Sequence, residues 1–118
     1  MQNVTATVIV AEGAVDIYQA KIIVAAVDAL IAQRQVLVIV DWSEAQWINP
    51  LAIGLLLARR HALLHAGGEI KFCRMAQAVK EIFFKFGVAE FFENYDTLEA
   101  AIESFDEQWE SGGERRAM

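Results

Sequence analysis

The 118 residues carry 10 Lys and Arg against 16 Asp and Glu, a formal charge of −6, and 56% of them are hydrophobic with a single proline. This length suits one domain that buries a core without staples, and the apolar content excludes extended disorder. The acidic balance removes the electrostatic basis for holding phosphate backbones or anionic lipid.

Val4 to Val10, "VTATVIV", is rich in β-branched residues and stops at Glu12-Gly13, which predicts a strand. Asp16 stands where it can cap a helix over Tyr18 to Gln33, whose stripe is Ile23, Val27, Leu30 and Ile31. Val36 to Val40, "VLVIV", is apolar on both faces and belongs mid-sheet, with Asp41 marking its C-terminal end. After the corner around Trp47-Ile48-Asn49-Pro50, a second helix runs from Leu51 to His65 and stops at Ala66-Gly67-Gly68.

Glu69 to Arg74 predicts a short strand in which Cys73 is buried. Ala76 to Phe86 predicts a third helix, apolar at Val79, Ile82, Phe83 and Phe86 and closed by Gly87. Val88 to Phe92 fits a short strand or an irregular crossover. Asp96-Thr97 opens a last helix to about Glu110, with Leu98, Ile102 and Phe105 as its buried stripe. Residues 1–110 thus read as one domain and 111–118 as a frayed tail. The alternation predicts an α/β fold of parallel strands with helical crossovers.

Cys73 is the one cysteine, so no intrachain disulfide and no multi-cysteine zinc site is expected. The first ten residues lack a basic start followed by an apolar run, and the longest charge-free stretch, Ala45 to Ala58, is shorter than the roughly 20 residues of a membrane span. The chain therefore reads as cytosolic.

Between Ser43 and Tyr95 there is no Ser, Thr or Tyr. Nothing like a nucleophile elbow surrounds Ser43, and neither phosphate-binding glycine pattern is present. His61 and His65 are four apart on one helix but lack a third ligand nearby, so no metal or other cofactor is expected. Asp16 and Asp41 could serve acid–base or Mg²⁺ chemistry at the sheet edge; a helix cap and a turn hydrogen bond are the simpler readings. Trp42, Trp47, Ile48 and Leu51 crowd one polar turn and cannot all be core, which points to partner contact.

Laid out in this order, the residues resemble the STAS domain family of bacterial anti-sigma factor antagonists, from about Val4 to Phe105. "EGAVDIYQA" is similar to the family's Gly-x-Leu-Asp-x-x-x-Ala segment through Gly13, Val15, Asp16 and Ala20. "VLVIVDWSEAQWIN" is similar to its central strand and Asp-Leu-Ser turn. The Gly67-Gly68 strand, the helix through Val79 and Phe83, the Gly87-Val88 crossover and the closing helix follow in family order. The resemblance implies a small, mostly parallel sheet of about four strands with about four helices around it. It also implies one more N-terminal strand, which this sequence does not contain in full, leaving a sheet edge open or covered by a partner.

At the corner the sequence departs from the family. The phosphorylatable pattern Asp-Ser-Ser/Thr-Gly-Leu-Gly is matched by Asn49, Pro50, Leu51, Ala52, Ile53 and Gly54. Pro50 stands at the phosphoacceptor position and has no hydroxyl. Asn49 suits an N-cap and Pro50 the first helical position, so the helix start is kept while the switch chemistry is gone.

The resemblance implies a non-enzymatic regulatory module. It would dock an anti-sigma factor or serine-kinase-like ATPase through Ser43, Trp47, Asn49, Pro50, Leu51, Ala52 and Gly54. The alternative is a small STAS subunit of a lipid-transport ABC transporter or of a sensory assembly. Ser43 or Thr97 could be modified instead of Pro50. The apolar stretch 82–92, mostly explained by core packing, leaves room for a homodimer.

Overall fold

The computed structural model describes residues 5–106. The predicted strand start at Val4, the last helix beyond residue 106 and the tail 111–118 lie outside the described residues. Strands β1 (Thr7–Val15), β2 (Leu37–Ile48), β3 (Glu69–Cys73) and β4 (Asn94–Tyr95) pair in the order β1-β2-β3-β4, all parallel. Helices α1 (Ile17–Ala32), α2 (Pro50–His65) and α3 (Gln77–Lys85) make the crossovers. A final helix, α4, occupies 98–106. This is the α/β, STAS-like architecture that the alternation of elements and the resemblance predict.

One-directional strand order with crossovers of one hand places α1, α2 and α3 on the same face. There Ile23 and Val27, Leu56 and Leu63, and Val79 and Phe83 pack on Val38, Val40, Ile70 and Phe72. Among the described residues the other face carries α4 alone, whose Ala101 and Phe105 cover Leu37, Ile39 and Cys73. Lys71 points to this face and is 1% exposed. Its ammonium donates to Ser104 Oγ at 2.8 Å, lies 3.3 Å from Glu93 and sits 4.4 Å from the Phe105 ring centroid. Burying a charge requires such partners, so Lys71 pins α4 to β3.

Two expected strand ends are corrected. β1 does not stop at Gly13 but passes through it at φ +64° and continues to Val15. Asp41 does not end β2; it sits mid-strand, and β2 runs seven residues further, to Ile48. The reason is unequal pairing. β3 leaves β2 at Asp41↔Cys73, whereas β1 follows β2 as far as Val15↔Ile48.

That extension contains two bulges, at Val10/Glu12 and Gly13/Ala14 in β1 numbering, with the extra residues in β2. Plain alternation from Trp42 would turn Glu44 and Gln46 into the core. The bulges turn both outward and place Ala45 inside, then restore the original phase so that Ile48 is buried.

Around α3 one open reading is decided and one expectation changes. Of the two readings of Val88 to Phe92 the irregular crossover holds: Ala89–Phe91 is a 3₁₀ turn and the edge strand follows at Asn94–Tyr95. Phe86 does not join the buried stripe; it is the C-cap of α3 and 54% exposed. The Gly67-Gly68 pair divides two tasks. Gly67, at φ +87°, ends α2. Gly68 allows close approach, since a Cβ there would lie 2.0 Å from the Val36 carbonyl oxygen.

Candidate functional site

The corner forms where β1 and β2 end together. Asn49 donates its backbone N–H to the Val15 carbonyl at 2.9 Å, which ties the two strand exits to each other. Its side-chain oxygen accepts from the Leu51 N–H at 3.0 Å, and Pro50 takes the first helical position. Asp16 does the same for α1, accepting from the Gln19 N–H at 2.8 Å. The starts of α1 and α2 therefore lie side by side at the C-terminal edge of the sheet. Each carries a side-chain cap, as the residue types predict.

The four crowded apolar residues separate cleanly. Trp42 and Ile48 are buried, whereas Trp47 is 42% exposed and Leu51 is 75% exposed. Trp42 packs edge-on against Phe72 and Phe83 at 5.2 and 5.7 Å. Of the other corner residues, Asn49 and Pro50 are half-buried and Gly54 is exposed. Ala52 is fully buried, so it supports the helix from beneath and presents no side chain to a partner. Tyr18, 70% exposed, belongs to the neighbouring helix start and was not singled out from sequence. Its signal was there: Tyr18 falls off the Ala20, Ile23, Val27 stripe.

Ser43 is exposed but lies further back along β2. Its N–H donates to Asp41 Oδ1 at 2.9 Å. Arg74, at φ +58°, clasps the same carboxylate with Nη2–Oδ2 at 2.5 Å and Nε–Oδ1 at 3.3 Å. Burial pushes the Asp41 carboxyl up, but Arg74 and the Ser43 N–H and hydroxyl outweigh it and hold the group below its ordinary 3.8. Asp41 and Asp16 do not meet. Asp41 pairs with Val10 and Asp16 follows Val15, a separation on the order of 15–20 Å along the strand. One is committed to an ion pair and the other to a helix cap, so the acid–base arrangement open in the sequence is not assembled.

Gly13 supplies the positive-φ residue of β1. His61 and His65 are both exposed on α2, and among the described residues no three metal-ligating side chains gather. Burial raises the Cys73 thiol to about 11, with the Asp41 charge adding to it. No helix among the described residues is long and apolar enough to cross a membrane.

The fold recurs in solved structures. SpoIIAA of Bacillus in its unphosphorylated form, an anti-sigma factor antagonist, superposes with TM-score 0.75 at 21% identity, covering 90% of this chain and 92% of that one. An anti-sigma factor antagonist from Mycobacterium paratuberculosis gives 0.73 at 19% identity, covering 88% of each chain. A sulfate transporter family protein from Wolinella succinogenes gives 0.78 at 13% identity, covering 89% of this chain and 88% of that one. No curated protein sequence matches the chain. A family model described as STAS domain matches residues 2–101, and with that span the chain belongs to the STAS domain family.

Proposed function

We propose that this chain is a non-enzymatic regulatory module that docks a protein partner through the β2–α2 corner, in the manner of an anti-sigma factor antagonist without a serine switch. The observation that carries this reading is the exposure of Leu51 and Trp47 on either side of the Asn49-Pro50 helix start. Large apolar side chains left outside on a rigid corner supply contact area at little ordering cost. Pro50 at the first helical position leaves no hydroxyl there to phosphorylate. Phosphate at such a site would add about two negative charges to the contact surface; here that means of release is missing.

The partner proposed is an anti-sigma factor or serine-kinase-like ATPase, in keeping with the structural neighbours described as anti-sigma factor antagonists. Trp47, Asn49, Pro50, Leu51 and Gly54 form the contact, with Tyr18 beside it and Ser43 at its margin. The test is calorimetric titration of the chain with a purified kinase-like anti-sigma ATPase from the same cells. Micromolar or tighter binding is expected for the parent, and Leu51→Asp should weaken it by about 30-fold or more, as loss of an interface hot spot does. Equal affinity of parent and variant would remove the corner from the interface. Absence of binding to any such ATPase, with a transporter ATPase captured instead, would favour the transporter-subunit alternative.

A further inference from the structure

Helix α1 is apolar on more than the side it buries. Among its 16 residues Gln19, Lys21 and Asp28 alone carry an amide or a charge. Ala20, Ile23 and Val27 are buried against the sheet. On the opposite side Tyr18 is 70% exposed and Ile22 50%, and Ala25 and Ala29 are exposed as well. These four recur at spacings of four, three and four residues, so they form one stripe with the pattern of a helix-packing seam. A helix apolar on both sides is ordinarily covered on both. The two charges flank the stripe. Lys21 and Asp28 are seven residues apart and therefore lie on the same flank. Lys21 is exposed and, among the described residues, has no ion pair. Asp28 accepts from Arg59 at 2.6 Å and still has 52% of its side chain exposed.

We propose that the outer stripe of α1 is the contact between two copies of this chain, packed antiparallel across a two-fold axis. A two-fold contact must be self-complementary, and this stripe is. With the axis between Ile23 and Val24, the second copy sets its Ala25 opposite Ile22 and its Ala29 opposite Tyr18. Each large side chain then meets a small one, and the helices approach closely. Charge selects the same arrangement. Lys21 comes within two residues of Asp28 of the second copy, about 3 Å along the axis and on the same flank, and the symmetry makes this pair twice. Such rim pairs fix orientation more than affinity. A parallel copy would set Tyr18 on Tyr18 and Ala29 on Ala29, splaying one end, and would leave both charges against neutral side chains. One helix face is a small interface, so the dissociation constant expected is on the order of 10–100 µM. The inference concerns the chain alone and does not rest on docking at the corner, although Tyr18 adjoins both surfaces.

The test is sedimentation equilibrium of the full chain alone over about 5–500 µM, a range that brackets this constant. The mass should rise with concentration from 13.2 kDa toward twice that value. Ile22→Glu should abolish association across the range. Lys21→Glu should weaken it about fivefold by facing like charges, and Lys21→Glu combined with Asp28→Lys should recover most of that loss, because both pairs are then reversed. Val10→Lys on the β1 edge and Phe84→Ala on α3, at other exposed apolar residues, should leave it unchanged. Every substitution is at an exposed position, and circular dichroism of the variants confirms the fold. A second measurement reads the register. Tyr18→Cys mixed with Ala29→Cys and oxidised by copper phenanthroline in air should give a disulfide-linked dimer of one copy of each. Either variant by itself should not, since its two cysteines would lie about 16 Å apart along the axis, and Cys73 is buried. A monomer mass throughout, a dimer indifferent to Ile22→Glu or lost instead in Val10→Lys, a double charge variant no tighter than the single one, or no mixed disulfide would each overturn the proposal.

Discussion

Asp41 shows how one side chain can be read correctly as to type and wrongly as to place. Its residue type announces a hydrogen-bonding carboxylate, and it does accept from the Ser43 N–H, but its larger partner is Arg74, 33 residues away. Asp41→Asn should lower stability at neutral pH by about 1–3 kcal/mol, the worth of hydrogen bonds to a buried charge. Arg74, 45% exposed, is left hydrated in that variant. Because the folded carboxyl titrates below its ordinary 3.8, the stabilisation is complete above that value and is lost as pH falls through the lower folded one. Urea midpoints of parent and variant should therefore converge below pH 3.8.

Cys73 has the opposite sign. Its thiol is raised from 9.0 to about 11, so the folded state holds the proton and loses stability as pH climbs between those values. A disulfide reagent at pH 8 should label Cys73 only after denaturation, since the thiolate is the nucleophile. Lys71 gives a third residue-scale test. Replacing a buried charge by an apolar isostere is often neutral or stabilising, so Lys71→Met should match or exceed the parent in urea. Lys71→Glu should cost about 3–5 kcal/mol by leaving an uncompensated buried charge.

Among the elements, the helices were the most legible. Asp16 and Asn49 cap α1 and α2 as their residue types predict, because a cap is a contact within three residues and needs no tertiary partner. Asn49→Ala should cost about 1 kcal/mol by thermal or urea unfolding, whereas Asn49→Asp should cost little, since Asn and Asp rank together at this position. β2 was less legible. Its first half is plainly a central strand, but "DWSEAQWI" has no simple period. Its burial follows β1 through two bulges, and a bulge is a property of a pair of strands. Hydrogen exchange should report this division, with the Ser43 to Trp47 amides exchanging before those of Val38 to Val40. The former pair on one side only, the latter on two. Val88 to Phe92 left strand and irregular crossover both open in the sequence, because Phe92 is buried by the aromatic cluster and not by strand pairing.

For the whole molecule, the consequence is a surface that the fold allocates. Leu51 and Ala52 are neighbours on α2, one 75% exposed and the other fully buried. Leu51→Asp should leave the unfolding free energy within about 0.5 kcal/mol of the parent, as a surface change does. Ala52→Asp should unfold the chain by forcing a carboxylate into the core; circular dichroism of the two distinguishes them. The apolar stretch 82–92 divides in the same way. Phe83 and Phe92 are core, while Phe84, Phe86 and Phe91 remain outside.

The amino-acid sequence by itself determined the order of strands and helices, the parallel α/β class, the capped helix starts, and the absence of a hydroxyl from the α2 corner. Each of these depends on residue type and on spacing within one turn or one strand, so it can be read along the chain. Only the tertiary structure decided that Asp41 belongs to Arg74, that β2 outlasts β3 and bulges twice, and that Trp47 and Leu51 face outward while Trp42 faces in. Each depends on which element lies across the sheet from which, and burial and unmet hydrogen bonds arise only between partners that folding brings together.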